Sequence, residues 1–255
     1  MKILIVRHGD PDYAHDSLTE KGWKEAELLS RRLSKLDVKA FYCSPLGRAQ
    51  ATAKPTMEKL HRENELTILP WLREFSGSVQ SPFDEKRHIP WNLAPQFWTK
   101  QKELFSYDEW LDCGFMKTGN VREVFEATCE GMDALLKEHG FTRMNNGDEK
   151  GYLFRCEENK HETIVLFCHF AIGMALISHM TGVALPLLWQ GFFLPTSSVT
   201  TLITEERVPG EVFFKVMQMG DTSHLYAFDE PVSPSGLFLE CLSDVENGGK
   251  VNAAQ

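Results

Sequence analysis

The sequence is short of positive charge. Its 27 Lys and Arg stand against 36 Asp and Glu, a formal charge of −9 over 255 residues. A general nucleic-acid binder needs a basic footprint to hold the phosphate backbone, so that class is excluded. Any anionic ligand must be held by a local cluster of positive groups. Long apolar runs are also missing: even Ile164 to Met180 is interrupted by two histidines, which leaves no membrane partner to expect. The opening stretch, Met1 to His8, turns polar too soon for the apolar core of a signal peptide, so no secretion signal is expected. The six cysteines, at positions 43, 113, 129, 156, 168 and 241, form no Cys-x-x-Cys pair and no zinc-ligand spacing. Reduced thiols in a cytoplasmic protein follow as the expectation.

What is present is an ordinary globular composition, 42% apolar and 25% charged, long enough to bury a substantial core. A single domain over residues 1–255 is expected, with no internal repeat. Lys2 to Val6 is a β-branched run that reads as a buried strand ending in Arg7-His8-Gly9. Ser17-Leu18-Thr19-Glu20 has the form of a capping box, followed by one apolar helical face at Ala26, Leu29, Leu33 and Leu36. Lys39 to Cys43 reads as a second strand, with Ser44-Pro45 opening a helix that carries Arg48 near its start and that Pro55 kinks or divides. Leu66 to Leu69 is a third strand.

Between about 76 and 118 the periodicity fails. Four of the six tryptophans (71, 91, 98 and 110) fall in or just before this stretch, with Pro82, Pro90 and Pro95. It reads as a helical, Trp-rich insertion, either lining a substrate pocket or forming the core of a small lobe. Val121 to His139 is an amphipathic helix ended by Gly140, and Asn145 to Asp148 a turn. Tyr152 to Cys156 and Thr163 to Cys168 read as two adjacent strands, the second ending in His169 before a helix from Ala171 to Met180. Val199 to Thr204 and Val212 to Met217 read as a hairpin. The tail after Glu246 is expected to fray. Strands alternating with helices define an α/β class: a three-layer sandwich with a mostly parallel central sheet flanked by helices.

Such sheets bind ligands beyond the carboxyl ends of their strands. Arg7-His8, Ser44 to Arg48, and His169 all sit at such ends. Together they offer two guanidinium forks suited to phosphate oxygens and two imidazoles, one able to act as a nucleophile. Adjacent cations disfavour the protonated imidazole, and an acceptor such as a backbone carbonyl on its other nitrogen would fix the tautomer. Cys43 and Cys168, also at strand ends, read as core residues rather than metal ligands.

At these residues the sequence resembles the histidine phosphatase superfamily, or phosphoglycerate-mutase-like proteins, branch 1. The resemblance rests on Arg7-His8-Gly9, Leu18-Thr19-x-x-Gly22, Ser44-Pro45-Leu46-x-Arg48-Ala49-x-x-Thr52-Ala53, Leu72-x-Glu74-Phe75, Cys168-His169 and Asp221-Thr222-Ser223-His224, in that order. It implies that His8 attacks phosphorus, that Arg7, Arg48 and His169 clamp the phosphoryl oxygens, and that Glu74 protonates the leaving oxygen. His224 would bind substrate at the pocket edge. No cofactor or metal is implied, and the partner would be a small phosphorylated metabolite. Asp10-Pro11-Asp12-Tyr13 after Gly9 departs from the mutase pattern, and Phe170-Ala171 after His169 departs from the Gly or Asn that the family often has there. The expectation is therefore a phosphoric monoester hydrolase working through a phosphohistidine. A phosphoglycerate-type mutase and a non-catalytic phosphate-ligand-binding module are the alternatives.

Overall fold

The protein's structure, a computed structural model, describes residues 1–81, 86–146, 149–157 and 161–237, excepting the side chains of residues 146, 149 and 150. The expected turn at Gly147-Asp148, Pro82, Cys241 and the tail after Glu246 lie outside the described residues.

The sheet strands, in chain order, are β1 (Lys2–Arg7), β2 (Ala40–Cys43), β3 (Leu66–Ile68), β4 (Phe141–Asn146), β5 (Glu149–Cys156), β6 (Thr163–Cys168), β7 (Val199–Val208) and β8 (Glu211–Asp221). They form one eight-stranded sheet in the order β3-β2-β6-β1-β7-β8-β5-β4. The helices are α1 (Glu20–Leu33), α2 (Gly47–Leu60), α3 (Pro95–Trp98), α4 (Val121–Glu138), α5 (Phe170–Thr181), α6 (Leu185–Gly191) and α7 (Ser223–Tyr226).

In β1 the side chains from Ile3 to Arg7 are all buried, so both faces of the strand must be covered. Ile3 and Ile5 join Ile164 and Leu166 in a core shared with α4, α5 and the Trp-rich segment. Leu4 and Val6 point the other way, joining Val165, Phe167 and Phe41 in a core roofed by α1 and α2. Strand alternation thus yields two cores and three layers.

Only half of the sheet is parallel. Strands β3, β2, β6 and β1 run parallel to one another, whereas β7, β8, β5 and β4 pair antiparallel. The expectation of a mostly parallel sheet is corrected accordingly. The antiparallel half is built from hairpins, whose tight turns need no crossover helix. The β7–β8 hairpin is present and longer than the sequence pattern suggests. Strands β5 and β6, expected to be neighbours, are separated: β6 lies between β2 and β1, while β5 pairs with β8 and β4.

Local expectations were adjusted elsewhere. The cap of α1 is Thr19, whose hydroxyl accepts from the Gly22 N–H, while Ser17 lies in a two-residue ladder with Pro11–Asp12. Leu36 lies beyond α1 and is 37% exposed. Helix α2 runs on through Pro55 without a break in its assignment. The Trp-rich segment contains α3, a short ladder pairing Val79–Gln80 with Arg87–His88, and single 3₁₀ turns at Lys102–Phe105, Trp110–Asp112 and Met116–Thr118. It is thus less helical than expected. Its rings pack inward: Trp110 is fully buried, with its centroid 5.0 Å from that of Phe125 and 6.1 Å from that of Trp189.

Candidate active site

Strand register decides which residues meet. Arg7 pairs with Cys168, and Phe167 with Cys43, so β1, β6 and β2 end level. His8, His169 and Ser44 follow directly on those ends. Backbone bonds extend the alignment, with His8 N donating to Cys168 O (3.0 Å) and Ser44 N to Phe167 O (2.9 Å). The rings of His8 and His169 lie 5.1 Å apart, and both are almost wholly buried.

His8 Nδ1 lies 2.8 Å from the carbonyl oxygen of Gly9. A carbonyl accepts, so Nδ1 carries the hydrogen and Nε2 keeps its lone pair. Burial drives the His8 pKa well below its ordinary value, assisted by Arg7 and Arg48. The imidazole is therefore neutral at neutral pH. Gly9 is needed where it stands because its backbone abuts α1: a Cβ there would sit 2.8 Å from the Gly22 oxygen, and one on Gly22 only 2.2 Å from Asp10 O. The glycines of Arg7-His8-Gly9 and Thr19-x-x-Gly22 are thus two sides of one contact. Gly9 N also donates to Thr52 Oγ1 of α2 at 2.9 Å, so three elements fix the loop after His8.

Arg48 stands in the first turn of α2, its side chain 13% exposed, with Nη1 2.7 Å from Asp16 Oδ1. Asp16 Oδ2 also accepts from the Gly47 N–H (2.6 Å), supplying the cap that Leu46, the chain's own N-cap residue, does not. Burial alone would raise the Asp16 carboxyl, but the Gly47 N–H and Arg48 together hold it below its usual range. Arg7 is buried, with Nη1 2.5 Å from Leu194 O and Nη2 3.4 Å from Ser235 O. His169 Nε2 lies 2.7 Å from Ser44 Oγ. Three buried nitrogens here, Arg7 Nε, Arg48 Nε and His169 Nδ1, have no hydrogen-bond partner among the described residues. Buried donors are normally satisfied, so a group rich in acceptor oxygens suits this spot.

Glu74 follows the 3₁₀ turn Pro70–Leu72. Its Oε1 accepts from the N–H groups of Phe75 (2.8 Å), Ala171 (3.1 Å) and Ile172 (3.1 Å), the last two at the start of α5. Burial pushes the carboxyl above its ordinary pKa even against those donors and the two arginines. With three donors on Oε1, a proton belongs on Oε2. The geometry therefore brings together Arg7, His8, Arg48, Glu74 and His169.

His224 is placed differently from the expectation of a pocket-edge ligand group. It is buried, with Nε2 3.2 Å from Ser197 Oγ, and Ser197 N donates to His8 O at 3.0 Å. It backs the loop after His8 through Ser197. Burial, assisted by Arg32, lowers its pKa to about 4.

Sequence reasoning missed several supports. Asp16 holds Arg48 and the Gly47 N–H through contacts that no periodicity marks, and Ser44, read only as a helix-start and motif residue, also meets His169. Glu25 is wholly buried in α1, and accepts from Asp10 N (3.0 Å) and Thr196 Oγ1 (3.1 Å). Its only sequence signal was a charged residue on the apolar face of α1. Residues 230–237 form a strap that packs on α1 and the loop before it and reaches Arg7. Glu230 bonds Lys21 at 2.7 Å, Ser233 Oγ bonds Asp10 Oδ1 at 2.5 Å, and Ser235 O meets Arg7.

Fold and site together define an α/β scaffold with a buried histidine at the centre of its candidate site, and comparison with known proteins shows what it is similar to. Residues 3–109 match the model of the histidine phosphatase superfamily, branch 1. A 2,3-bisphosphoglycerate-dependent phosphoglycerate mutase of Thermoplasma acidophilum is 34% identical over 74 residues, which cover 25% of this chain and 37% of that protein. The matched segments span between 32% and 37% of the curated relatives' length. Among solved structures, a mycobacterial glucosyl-3-phosphoglycerate phosphatase complexed with VO3 shares the fold. Its TM-score is 0.56 at 17% identity, over 86% of this chain and 98% of that one. A phosphoserine phosphatase from Entamoeba histolytica, in complex with 3-phosphoglyceric acid, aligns with TM-score 0.53 at 19% identity, over 88% and 98%.

Among the described residues no helix is long and apolar enough to cross a membrane, and no group of three or more His, Cys, Asp or Glu is arranged to hold a metal ion. Burial raises the Cys43 thiol to about 12 and pushes Cys168 up further, in keeping with core positions.

Proposed function

We propose that the protein hydrolyses a small phosphomonoester through a phosphohistidine on His8. The observation that carries this reading is the His8 Nδ1 to Gly9 O bond, which leaves Nε2 unprotonated with the His169 ring 5.1 Å away and Arg7 and Arg48 acting on it. In the first step the Nε2 lone pair attacks phosphorus, the bond to the leaving oxygen breaks, and the proton on Glu74 Oε2 passes to that oxygen. Arg7, Arg48 and His169 hold the three phosphoryl oxygens as charge redistributes. In the second step water attacks phosphorus, Glu74 takes its proton, and the P–N bond breaks to restore neutral His8. The small cationic pocket in a protein of charge −9 admits a phosphorylated metabolite and repels polyanions.

The mutase match over 74 residues favours a second reading, in which the same phosphohistidine returns its group to a product hydroxyl. The two separate in one experiment: a panel of phosphorylated metabolites is assayed for inorganic phosphate, and phosphoglycerates primed with the bisphosphate are assayed for interconversion. Hydrolysis predicts phosphate release without interconversion. Interconversion without phosphate release overturns it.

A further inference from the structure

We propose that the mouth of the His8 site is an aromatic collar selecting phosphomonoesters of aryl or arylalkyl alcohols, a reading that rests on the phosphatase function above. Phe170 opens α5 and Phe193 precedes β7; both are half-buried, with ring centroids 6.0 Å apart. The Arg7 guanidinium carbon lies 5.7 Å from the centroid of Phe170 and 5.3 Å from that of Phe193. Tyr13, 45% exposed, carries the Arg48 guanidinium 5.5 Å from its own ring centroid. Each arginine that would clamp the phosphoryl group thus has an aromatic ring against it, contributed by three separate segments. Phe170 lies between His169 and Ala171, whose N–H holds Glu74, so its ring borders the side from which the leaving oxygen takes its proton. A carbon substituent on that oxygen meets Phe170 and Phe193.

Charge around the mouth points the same way. Arg48 is paired with Asp16, and Arg7 is bonded to Leu194 O and Ser235 O. A carboxylate on the leaving alcohol would find those cations engaged, and Asp16 close by. Arg73, which exerts its field on His169, is exposed and screened by water. An uncharged ring, by contrast, gains edge and face contacts with phenyl groups already in place.

The test uses benzylphosphonate and ethylphosphonate, whose C–P bonds resist hydrolysis, titrated calorimetrically into the full chain. Benzylphosphonate is expected to bind about ten-fold more tightly. Phe193→Leu and Tyr13→Leu, which keep apolar volume but remove the ring, each narrow that ratio by about three-fold or more, with circular dichroism verifying the fold. Equal affinities in the parent protein, or a ratio untouched by both substitutions, overturn the collar. Turnover of benzyl and ethyl phosphate is measured alongside. Equal affinities together with His8-dependent release of phosphate discard the collar and keep the phosphatase. Discrimination between the phosphonates without release of phosphate from any ester keeps the collar and discards the phosphatase.

Discussion

Ser44 Oγ stands 2.7 Å from Nε2 of His169 while accepting the N–H of Leu46 at 3.2 Å. The hydroxyl keeps a hydrogen to give, and where it gives that hydrogen to the imidazole, Nε2 is the acceptor and Nδ1 bears the proton. Nδ1 is the nitrogen with no partner among the described residues. In that arrangement the two histidines share the Nδ1–H tautomer, with His8 exposing a lone pair and His169 a donor.

Ser44→Ala releases the His169 tautomer and is expected to lower kcat by about ten-fold, near the worth of one such hydrogen bond, with a smaller change in KM. Ser44→Thr, which retains the hydroxyl, restores most of the rate. ¹⁵N chemical shifts of His169 provide the direct readout, moving toward a tautomer mixture only in the alanine variant.

Acid acts on stability and rate in the same direction. His8 and His169 are buried neutral with pKa values pushed well below the ordinary value, while the unfolded chain titrates near about 6.5. Below that pH the unfolded state binds protons that the folded state does not, so stability is lost as pH falls through and beneath this window. Urea midpoints measured from pH 8 to pH 5 should decline on the acid side. The buried, raised carboxyls of Glu25 and Glu74 oppose this trend above about 4.5, the unfolded carboxylate range. In kcat/KM the acid limb falls below the ordinary histidine range. Glu74→Gln lowers turnover of alkyl phosphates by about 10²- to 10⁴-fold and removes the alkaline limb.

Asp16 caps α2 from another loop and holds Arg48 at once. Asp16→Ala is expected to cost about 0.5–1 kcal/mol, the cap value reduced by solvent screening of a half-exposed carboxylate. Because the folded carboxyl is held low, this contribution is complete above the unfolded carboxylate pKa and disappears as pH falls through the folded value. Parent and variant melting temperatures should therefore converge in strong acid. A constant difference at all pH values contradicts the assignment.

Gly236 lies on the strap with φ +86°, and a Cβ on it would stand 2.7 Å from Arg7 Nη2. Gly236→Ala strains the backbone by about 1–2 kcal/mol and presses on Arg7, the arginine proposed to hold phosphate. Steady-state kinetics should show kcat/KM reduced several-fold. Unchanged kinetics would detach the strap from the site.

The parts of this arrangement that were legible in the sequence are those written in local periodicity. The aliphatic run of β1, the amphipathic face of α4 and the stop of α5 at Gly182 each follow from residues a few positions apart. The strand-end positions of His8 and His169 and the helix-start position of Arg48 followed in turn, because a strand that stops abruptly at polar residues marks the carboxyl end of the sheet. Strand order was not legible. Nothing in Tyr152 to Cys156 says that its partner is β8 rather than β6, since both pairings bury the same apolar side chains. His224 was read by motif, which identifies a residue but not its orientation. The contacts of Asp16, Ser44 and Ser235 with the site depend on loops folding back over long sequence distances, and no short pattern encodes them.

The central claim is a covalent bond between His8 Nε2 and phosphorus. The protein is mixed with a ³²P-labelled phosphomonoester, quenched within milliseconds, and the trapped label is tested for stability in acid and in alkali. A phosphohistidine predicts acid-labile, alkali-stable label on the peptide containing His8, absent from His8→Ala together with about 10³-fold or more of the turnover. Undiminished turnover in His8→Ala, or label on any other residue, would contradict it.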